Sequence, residues 1–331
     1  MPEKREKLTI SVALCTCNGE KYLAQQLDSL VNQERLPDEL IVCDDNSSDI
    51  TPEIINHFSS TAPFPVKVFY NKNRMGFRKN FEQAALQCEQ DVVFFCDQDD
   101  IWEREKLARF LDVFERQPSV GMVLCEAMLI DENNNDLGIQ LSERNNIRSK
   151  NIAEQIKQSS AHFCLKNYIF WSGMAMAFRR KYLPFLVPFS DNVFHDLWCA
   201  RLLSCFTEVR YLDQPLVRYR IHGKNASGSE IQDHGLAESL KQARNPGVAQ
   251  YYAEVAQAMG ELAERLQKYS DSVREPEMID RFCAKGKHYQ KRFLIQTGQI
   301  SKVNGLAREI MNGNYFRYSQ GVKSIAADLL S

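Results

Sequence analysis

The sequence predicts a doubly wound α/β fold, in which helices cover both faces of a mixed, mainly parallel sheet, followed by a helical C-terminal region. Between residues 8 and 97, short and continuously apolar strand patterns alternate with helical patterns. Such strands are typical of a parallel sheet that is buried on both faces. From about residue 226 onward, strand patterns end and helical patterns dominate. We therefore predict a first domain at 1–228 and a helical region at 229–331.

Each element follows from local composition and periodicity. Runs of β-branched and apolar residues predict strands, and apolar side chains three or four positions apart predict helices. In the first part of the chain the predicted elements are the strands 8–16, 39–45, 66–71 and 91–97 and the helices 19–33, 51–59 and 76–89. Beyond residue 120 they are the strands 121–131 and 168–180, a polar loop at 133–146, a helix at 194–206 and two short strands within 209–223.

The bulk composition argues against several classes of protein. A formal charge of −2 gives no basic field for nucleic acid. The longest apolar runs are far shorter than the roughly 20 residues that span a bilayer. The N-terminal segment lacks the long apolar region of a signal peptide, so we expect a cytoplasmic protein. The ten cysteines include no C-x-x-C pair, and their apolar surroundings predict reduced, buried thiols.

Polar side chains cluster where three of the predicted strands end, which is the edge at which open α/β sheets bind ligands. The clusters are Thr16-Cys17-Asn18-Gly19, Asp44-Asp45-Asn46 and Asp97-Gln98-Asp99-Asp100. A D-x-D on a tight turn can hold a divalent cation whose other ligands are water and substrate phosphates. The alternative is that Asp99 and Asp100 cap a helix at 101–116. No G-x-G-x-x-G follows strand one and no G-x-x-x-x-G-K-[ST] occurs, which argues against a Rossmann dinucleotide site and a P-loop.

Three further features allow both a structural and a chemical interpretation. Asp44 and Asp45 can accept hydrogen bonds from a base N–H or a ribose hydroxyl. Asp196 follows His195 at the start of a predicted helix, where an acid is usually a cap. The segment 218–228 carries several bases that suit a diphosphate, although a solvated surface would show the same charges.

Taken in order, these segments resemble the family-two glycosyltransferases, and within them the bacterial rhamnosyltransferase-like branch that builds surface polysaccharides. The resemblance covers about residues 8–228 and is carried by ISVALCTCNGEKYLAQQLDSLVNQ, ELIVCDDNSSDIT, NRMGFRKNF, FFCDQDDIWEREKL, SGMAMAFRR, FHDLWCARLL and LVRYRIHGKNASG. It implies the GT-A fold of nucleotide-diphospho-sugar transferases and inversion at the anomeric carbon. Two positions depart from the family pattern: Cys17, where many relatives carry an aromatic residue, and His195, where distant relatives carry an acid.

The resemblance also implies a role for each matched residue. For the donor, it implies that Thr16, Asn18 and Glu20 line the nucleotide pocket, that Asp44 and Asp45 hold uracil or thymine and ribose, and that Arg78, Asn80, Asp97, Gln98, Arg220, His222 and Lys224 complete the site. For the metal, it implies Mg²⁺ or Mn²⁺ on Asp99, with Asp97 and His222 as further ligand candidates. For the reaction, it implies Asp196 as general base, His195 as the residue that tunes or orients it, and Trp171, Gly173 and Met174 at the acceptor.

The implied partners are a dTDP-, UDP- or GDP-linked sugar and a glycan or lipid-linked glycan acceptor. Two rival functions share parts of this pattern: a sugar nucleotidyltransferase and a non-catalytic nucleotide-sugar-binding protein. The first normally carries a Gly-rich basic loop after strand one, and CTCNGEKY is not such a loop. The second would have lost some of the expected acids, and all of them are present.

The C-terminal segment 281–331 is basic, with nine Lys or Arg, two acids and interleaved aromatic residues. Basic amphipathic helices of this kind lie on anionic membrane surfaces. The alternative is a helical subdomain whose basic face is solvated. The sequence leaves both open.

Overall fold

The computed structural model describes residues 7–145, 152–166, 172–223 and 248–330. The chain divides into two compact units. The first unit comprises Met1–Ser160 and Ile169–Glu230, and the second comprises Ala161–Tyr168 and Ile231–Ser331. The predicted boundary between residues 228 and 229 lies outside the described residues.

Nine strands among the described residues form one mixed sheet in the first unit. They are β1 (Ile10–Thr16), β2 (Glu39–Asp44), β3 (Val66–Tyr70), β4 (Val92–Cys96), β5 (Ile101–Trp102), β6 (Val120–Ile130), β7 (Asp136–Gln140), β8 (Met176–Arg179) and β9 (Glu208–Arg220). The order is β3-β2-β1-β4-β8-β6-β9-β5, with β7 paired to β6. Strands β1 to β4 are mutually parallel, and β8 runs antiparallel between β4 and β6. The predicted mixed, mainly parallel sheet is confirmed.

Helices cover both faces of this sheet, as alternate residues of β4 demonstrate. The helices of the first part of the chain are α1 (Leu23–Val31), α2 (Thr51–Thr61), α3 (Phe77–Gln87), α4 (Lys106–Arg116), α5 (Leu141–Arg144), α6 (Ile152–Gln158), α7 (Ser160–Lys166), α8 (Leu183–Leu186) and α9 (His195–Phe206). The Phe94 ring packs on Phe110 of α4 at 5.2 Å between ring centroids. The Phe95 ring points to the opposite face and packs on Phe81 of α3 at 5.4 Å.

Strand β9 is one continuous strand, so the prediction of two short strands within 209–223 was wrong. Leu212 pairs with Cys125 and Pro215 pairs with Glu126, which places Asp213 and its neighbour in a register irregularity between two adjacent pairs. The polar residues that predict a turn are therefore accommodated as a bulge inside the ladder.

Two other predictions were wrong in the same region of the sheet. The predicted loop at 133–146 contains β7, because Asp131 accepts hydrogen bonds from the backbone N–H groups of Asn133 and Asn135 and closes a hairpin turn. The predicted helix at 101–116 begins only at Lys106, since residues 101 and 102 pair with β9. The acids of the D-x-D are consequently separated from the helix and do not cap it.

The second unit is helical in the described residues. Its helices are α10 (Val248–Lys268), α11 (Glu277–Gln296), α12 (Lys302–Met311), α13 (Asn314–Tyr318) and α14 (Val322–Leu330). The predicted C-terminal helical region is confirmed. In the described part of the chain, no helix is both long enough and apolar enough to cross a membrane.

A buried ion pair organises the second unit. Arg292 donates to both carboxylate oxygens of Asp328, at 2.7 and 3.0 Å, and both residues are inaccessible to solvent. The hydroxyls of Tyr252 and Tyr315 donate to the same carboxylate at 2.6 and 2.7 Å. The carboxylate therefore has its charge balanced and its lone pairs occupied, which a buried ion pair requires.

We predict that Asp328→Asn lowers the free energy of unfolding by about 3–5 kcal/mol, because it leaves the Arg292 guanidinium buried without its counter-charge. The matched control is Asp112→Asn, which removes an exposed ion pair with Arg116; it should change stability by less than about 1 kcal/mol. Urea unfolding followed by circular dichroism measures both. Equal losses in the two variants would contradict this account of the buried pair.

Candidate active site

The carboxyl end of β1 is tied to that of β2 by a hydrogen-bonded acid. Thr16 Oγ1 donates to Asp44 Oδ1 at 2.7 Å, and Ser47 donates to the two oxygens of the same carboxylate from its hydroxyl and its backbone N–H. Asp44 and Thr16 are both buried. The parallel register, which pairs Thr16 with Asp44, brings these two sequence-predicted residues together.

Asp45 organises the loop that follows β3. Its carboxylate accepts hydrogen bonds from the backbone N–H groups of Met75 and Gly76 at 2.7 and 2.8 Å. Asn71 donates to Asp45 and also to the amide oxygen of Asn80. The amide nitrogen of Asn80 in turn donates to the carbonyl of Cys43. Asp45 and Asn80 are thus both buried parts of one network, and their contact with a nucleotide stays a prediction.

The turn after β1 requires glycine at position 19. The Gln98 side chain accepts from the backbone N–H of Cys17 at 2.8 Å and donates to its carbonyl at 3.1 Å. A Cβ on Gly19 would lie 2.3 Å from Gln98 Oε1. Asn18, in the left-handed region with φ 51°, accepts from the backbone N–H of Ser48. Gln98 therefore joins the ends of β4 and β1, and the donor contact predicted for it would have to be made alongside these bonds.

The acids that follow β4 lie close together with few counter-charges. Burial, followed by the negative charges of Asp99 and Asp196, raises the pKa of Asp97. Burial and the charges of Asp99 and Asp97 raise the pKa of Asp100 well above its ordinary value. Among the described residues, the buried Oδ2 atom of Asp100 has no hydrogen-bond partner. Such an unpaired buried acceptor is costly and marks a place where a cation would be stabilising.

Arg220 holds the loops around this cluster. Its backbone N–H donates to Asp100 Oδ1 at 3.0 Å, and its side-chain Nε donates to the carbonyl of Asp99 at 2.7 Å. The buried guanidinium also donates to Gln25 at 2.9 Å and lies 4.5 Å from the centre of the Tyr22 ring. The guanidinium is thus bonded to protein groups and supports the D-x-D, and its predicted contact with a diphosphate stays a prediction.

His222 meets the D-x-D directly, although it lies 123 positions away in sequence. Its Nε2 atom is 2.8 Å from Asp99 Oδ2. In the described ranges, no three His, Cys, Asp or Glu side chains converge on a point that could hold a metal ion. The carboxylate of Asp99 and the imidazole of His222 offer one oxygen and one nitrogen ligand to a divalent cation that takes its remaining ligands from water and a substrate phosphate.

A short 3₁₀ turn, Gly173–Ala175, links the D-x-D to Asp196. The backbone N–H of Gly173 donates to Asp196 Oδ2 at 3.0 Å. The backbone N–H of the next residue, Met174, acts on the carboxylate of Asp97 and opposes the rise in its pKa. The turn therefore binds Asp196 directly and lies near Asp97, and the acceptor role predicted for Gly173 and Met174 stays a prediction.

Asp196 is the second residue of helix α9, and its side chain bonds the N–H of the next residue instead of capping the helix. Its Oδ1 atom accepts from the adjacent backbone N–H of Leu197 at 2.7 Å. Burial raises the pKa of Asp196 to about 6, while its hydrogen bonds with the Leu197 and Gly173 N–H groups oppose the rise. A carboxylate of this pKa is ionised at neutral pH and is more basic than an exposed aspartate.

His195 is buried in an aromatic environment and does not contact the Asp196 carboxylate through a ring nitrogen. Its ring stacks on Phe81 with 3.9 Å between centroids, and both ring nitrogens are buried without a hydrogen-bond partner in the described structure. Burial lowers the pKa of His195 to about 3, so the ring is neutral. Its Nε2 atom would lie 2.9 Å from a Cβ placed on Gly173. The structure thus indicates that His195 positions the turn by packing.

Of the remaining predicted residues, Arg78 and Glu20 belong to the described part of the chain. Arg78 donates to the carbonyl of Val193 at 3.1 Å, and its guanidinium lies near the rings of Phe77 and Phe194. Glu20 is exposed and accepts from the backbone N–H of Ile50 at 3.5 Å. Trp171 and Lys224 lie outside the described residues.

Lys106 is a residue of the site that the sequence motifs did not predict. This lysine is fully buried at the start of α4, donates to the carbonyl of Met174 and lies over the Trp102 ring at 3.2 Å from its centre. Burial lowers its pKa to about 8, and its charge acts on Asp97 and Asp100. A signal was present in the sequence: Lys106 lies four positions before the buried Phe110, so the helical period places it on the core face.

The sequence is similar to those of known glycosyltransferases. The family model for glycosyl transferase family 2 matches residues 11–183. An uncharacterized glycosyltransferase of Nostoc sp. is 28% identical over 240 residues, which are 71% of this chain and 72% of the relative. The dTDP-rhamnosyl transferase RfbG of Shigella flexneri is 24% identical over 257 residues, 75% of this chain and 85% of the relative.

Solved structures show the same fold at low sequence identity. Staphylococcus aureus TarS 1-349 in complex with UDP-GlcNAc aligns with a TM-score of 0.57 at 17% identity, over 98% of this chain and 84% of that chain. The mannosyltransferase PcManGT from Pyrobaculum calidifontis, in complex with GDP-Man and Mn²⁺, aligns with a TM-score of 0.52 at 17% identity, over all of this chain and 87% of that one. The fold is therefore GT-A-like. Because the family model covers more than half of the 331 residues, the chain belongs to glycosyl transferase family 2 and is a glycosyltransferase.

Proposed function

We propose that the chain transfers a sugar from a nucleotide diphosphate sugar to a hydroxyl of a growing surface glycan or lipid-linked glycan, with inversion at the anomeric carbon. One observation carries the proposal: the turn whose Gly173 N–H binds Asp196 also places the Met174 N–H near Asp97. A base and the first acid of the D-x-D thereby lie beside one turn. Direct displacement needs this arrangement, with a base for the acceptor hydroxyl and a separate site for the leaving diphosphate.

Asp196 is the proposed general base. Inversion by direct displacement requires a group that removes the proton of the attacking hydroxyl. The half-buried Asp196 carboxylate has a pKa raised to about 6 by desolvation, so it is ionised near neutral pH and accepts a proton more readily than an ordinary aspartate. Its second oxygen is oriented by Gly173, so the carboxylate is held without being neutralised by a cation.

Asp99 and His222 are the proposed protein ligands of Mg²⁺ or Mn²⁺, with Asp97 beside them. When bound, a divalent cation neutralises charge that develops on the leaving diphosphate. The chain contributes the positions of these ligands. Arg220 fixes Asp99 and Asp100 through its backbone N–H and Nε, and Lys106 supplies positive charge from the core side.

For the donor, we propose a dTDP-, UDP- or GDP-linked hexose, with dTDP-rhamnose the first to test. The support for rhamnose is the similarity to the Shigella flexneri protein, which is named a dTDP-rhamnosyl transferase. The structural neighbours were solved with UDP-GlcNAc and with GDP-Man, so all three nucleotides belong in the test. Thr16, Asn18, Glu20, Asp44 and Asp45 are the residues proposed to line the nucleotide pocket.

The donor and the metal are tested together by thermal unfolding. A matched donor with Mg²⁺ or Mn²⁺ should stabilise the wild-type chain by about 2.7 kcal/mol when present at 100 times its Kd. Asp99→Asn should abolish this metal-dependent gain. Without ligand, the same variant should be at least as stable as wild type, because it removes one charge from a cluster of like charges. A metal-dependent shift that persists in Asp99→Asn would exclude Asp99 as a ligand, and no shift with any of the donors would contradict the proposed donor class.

The base is tested by Asp196→Asn. We expect turnover to fall by ~10²–10⁴-fold, because the amide cannot accept the proton, while the donor Kd measured by calorimetry stays within about twofold. In the wild type, kcat/KM should rise with pH up to about 6 and then level, since the Asp196 carboxyl with its raised pKa must be ionised. Asp191→Asn is the control, because Asp191 is exposed and only five positions away. Turnover of Asp196→Asn close to that of wild type would remove this residue from the role.

The turn is tested by Gly173→Ala. The new Cβ would approach His195 Nε2 to 2.9 Å and Asp196 Cβ to 3.6 Å, so the acid or the ring must move. A displacement of about 1 Å can reduce the rate ~10²-fold, and we expect that loss in kcat with an unchanged donor Kd. His195→Ala in the same chain should restore part of the rate by removing the close contact. Gly260→Ala, which meets no atom within 4 Å, is the control. A fully active Gly173→Ala, or a folded double variant without any recovery, would contradict packing of His195 on the turn.

A further inference from the structure

Helices α12, α13 and α14 of the second unit expose large apolar side chains on one edge. Met311, Phe316, Val322 and Leu329 are 85%, 60%, 67% and 57% exposed, and we call them the apolar edge. Val322 and Leu329 are seven positions apart, so they share one face of α14. The acid of the same helix, Asp328, is completely buried. Helix α14 thus turns Ile325 and Ala327 to the core, as an ordinary surface helix does, but also exposes two apolar side chains while it buries an acid.

The helices that carry the apolar edge form one packed cluster. Helices α12, α13 and α14 pack on one another, and a small core of Ile295, Leu306 and Tyr315 joins helices α11, α12 and α13. A Cβ on Gly321 would lie 3.0 Å from the Phe316 ring, so Phe316 lies next to the residue that precedes Val322. Phe316 and Val322 thus form an exposed apolar patch, and such patches mark sites for a partner or a membrane.

The charges around the apolar edge are positive. Glu309 and Asp328 are the acids of residues 281–330, and both are fully buried. Glu309 is bonded to His288 and Lys291, and Asp328 to Arg292. Besides Lys291, the bases of the same segment that keep solvent exposure are Arg281, Lys287, Lys302, Arg308, Arg317 and Lys323. In the described residues 281–330, the surface thus presents basic charges and no acidic ones.

The nearest acids of helix α11 are at its far end. Glu277 and Asp280 lie in its first turn, whereas Ile295 near its C-terminus packs against α12 and α13. A helix of 20 residues is about 30 Å long. This distance exceeds the screening length of about 8 Å at physiological salt, so those two acids are screened from the apolar edge. The exposed acid Glu254 of α10 lies closer, because Tyr252, two positions before it, donates to Asp328 of α14, and Glu254 offsets part of the positive charge.

We propose that the apolar edge and its flanking bases dock on an anionic membrane surface, with the apolar side chains inserted at the level of the headgroups. Exposed Phe, Val and Leu side chains flanked by Lys and Arg are the composition that binds such a surface. A second copy of the chain fits less well, because two basic edges would repel each other. The docking surface goes beyond the proposed sugar transfer and does not depend on it, although it would hold the enzyme near a lipid-linked acceptor.

The test is co-sedimentation of the full chain with vesicles of phosphatidylcholine alone or with added phosphatidylglycerol. We expect binding to the anionic vesicles that weakens as salt rises from about 0.1 to 0.5 M. The charge variant, Arg308→Gln with Arg317→Gln and Lys323→Gln, should bind less tightly by about fivefold per charge. The apolar variant, Phe316→Ser with Val322→Ser, should also lose binding, by about tenfold or more.

Matched controls separate this surface from general charge and hydrophobicity. Lys7, Arg104 and Arg109 are exposed bases of the first unit, and their change to Gln should leave binding within about twofold of wild type. Leu86→Ser with Leu137→Ser is the matched control for the apolar variant, because both leucines are exposed in the first unit, and it should also leave binding within about twofold of wild type. All substituted side chains are exposed or half-exposed, and circular dichroism with thermal unfolding verifies that each variant is folded.

Three results would overturn the proposal. They are no pelleting of the wild type with anionic vesicles, equal pelleting of wild type and both variants, or self-association in sedimentation velocity that depends on Phe316 and Val322 in the absence of vesicle binding. The last would assign the apolar edge to a second copy. Metal-dependent hydrolysis of the matched donor, measured without vesicles, should be the same in wild type and both variants. Loss of membrane binding and failure of the proposed sugar transfer can therefore be told apart.

Discussion

The crowding of one buried and two half-buried carboxylates at the carboxyl edge of the sheet is the constraint on which the site depends. Asp97 and Asp100 have raised pKa values because burial and the neighbouring acids disfavour their charged forms. The fold opposes this cost with the N–H groups of the Gly173–Ala175 turn and of the Arg220 backbone and with the positive charge of the buried Lys106 amine. These groups come from separate parts of the chain, and each reaches the acids only if the sheet has closed around β4. The positions of the acids are thus a property of the whole first unit.

The central position of β8 and the length of β9 follow from the same constraint. Strand β8 lies antiparallel between β4 and β6 and so brings the turn that precedes it to the end of β4. Strand β9 continues through its irregularity to Arg220, and His222 follows two residues later. A break at the irregularity would separate both residues from the D-x-D. The irregular register is therefore the way in which one strand satisfies both the ladder with β6 and the geometry of the site.

Sequence patterns were sufficient for the parts of this structure that depend on local interactions. The strands β1 to β4 and helices α1 to α3 were predicted within a few residues, because burial on both faces leaves a continuous apolar run that periodicity detects. The rule for ligands at strand ends placed the three acidic and polar clusters correctly at one edge. That rule could not predict the contacts of Arg220, Lys106 or His195, because their environments are set by residues far away in sequence. A lysine at a core position of a helix is visible in the sequence, but the acid that it faces is not.

The two units treat buried charge in opposite ways, and this contrast separates stability from chemistry. In the second unit, Arg292 and Asp328 are bonded to each other and to two tyrosine hydroxyls, which makes the pair a structural element. In the first unit, Asp100 keeps an unpaired buried oxygen and His195 keeps two unpaired nitrogens in the described structure. Proteins rarely leave buried polar groups in this condition, and they do so where function requires it. Asp100 belongs to the acidic cluster that follows β4, whereas the ring of His195 packs against the Gly173 turn. Both groups therefore lie where the proposed site is built, whereas the Arg292–Asp328 pair contributes to stability.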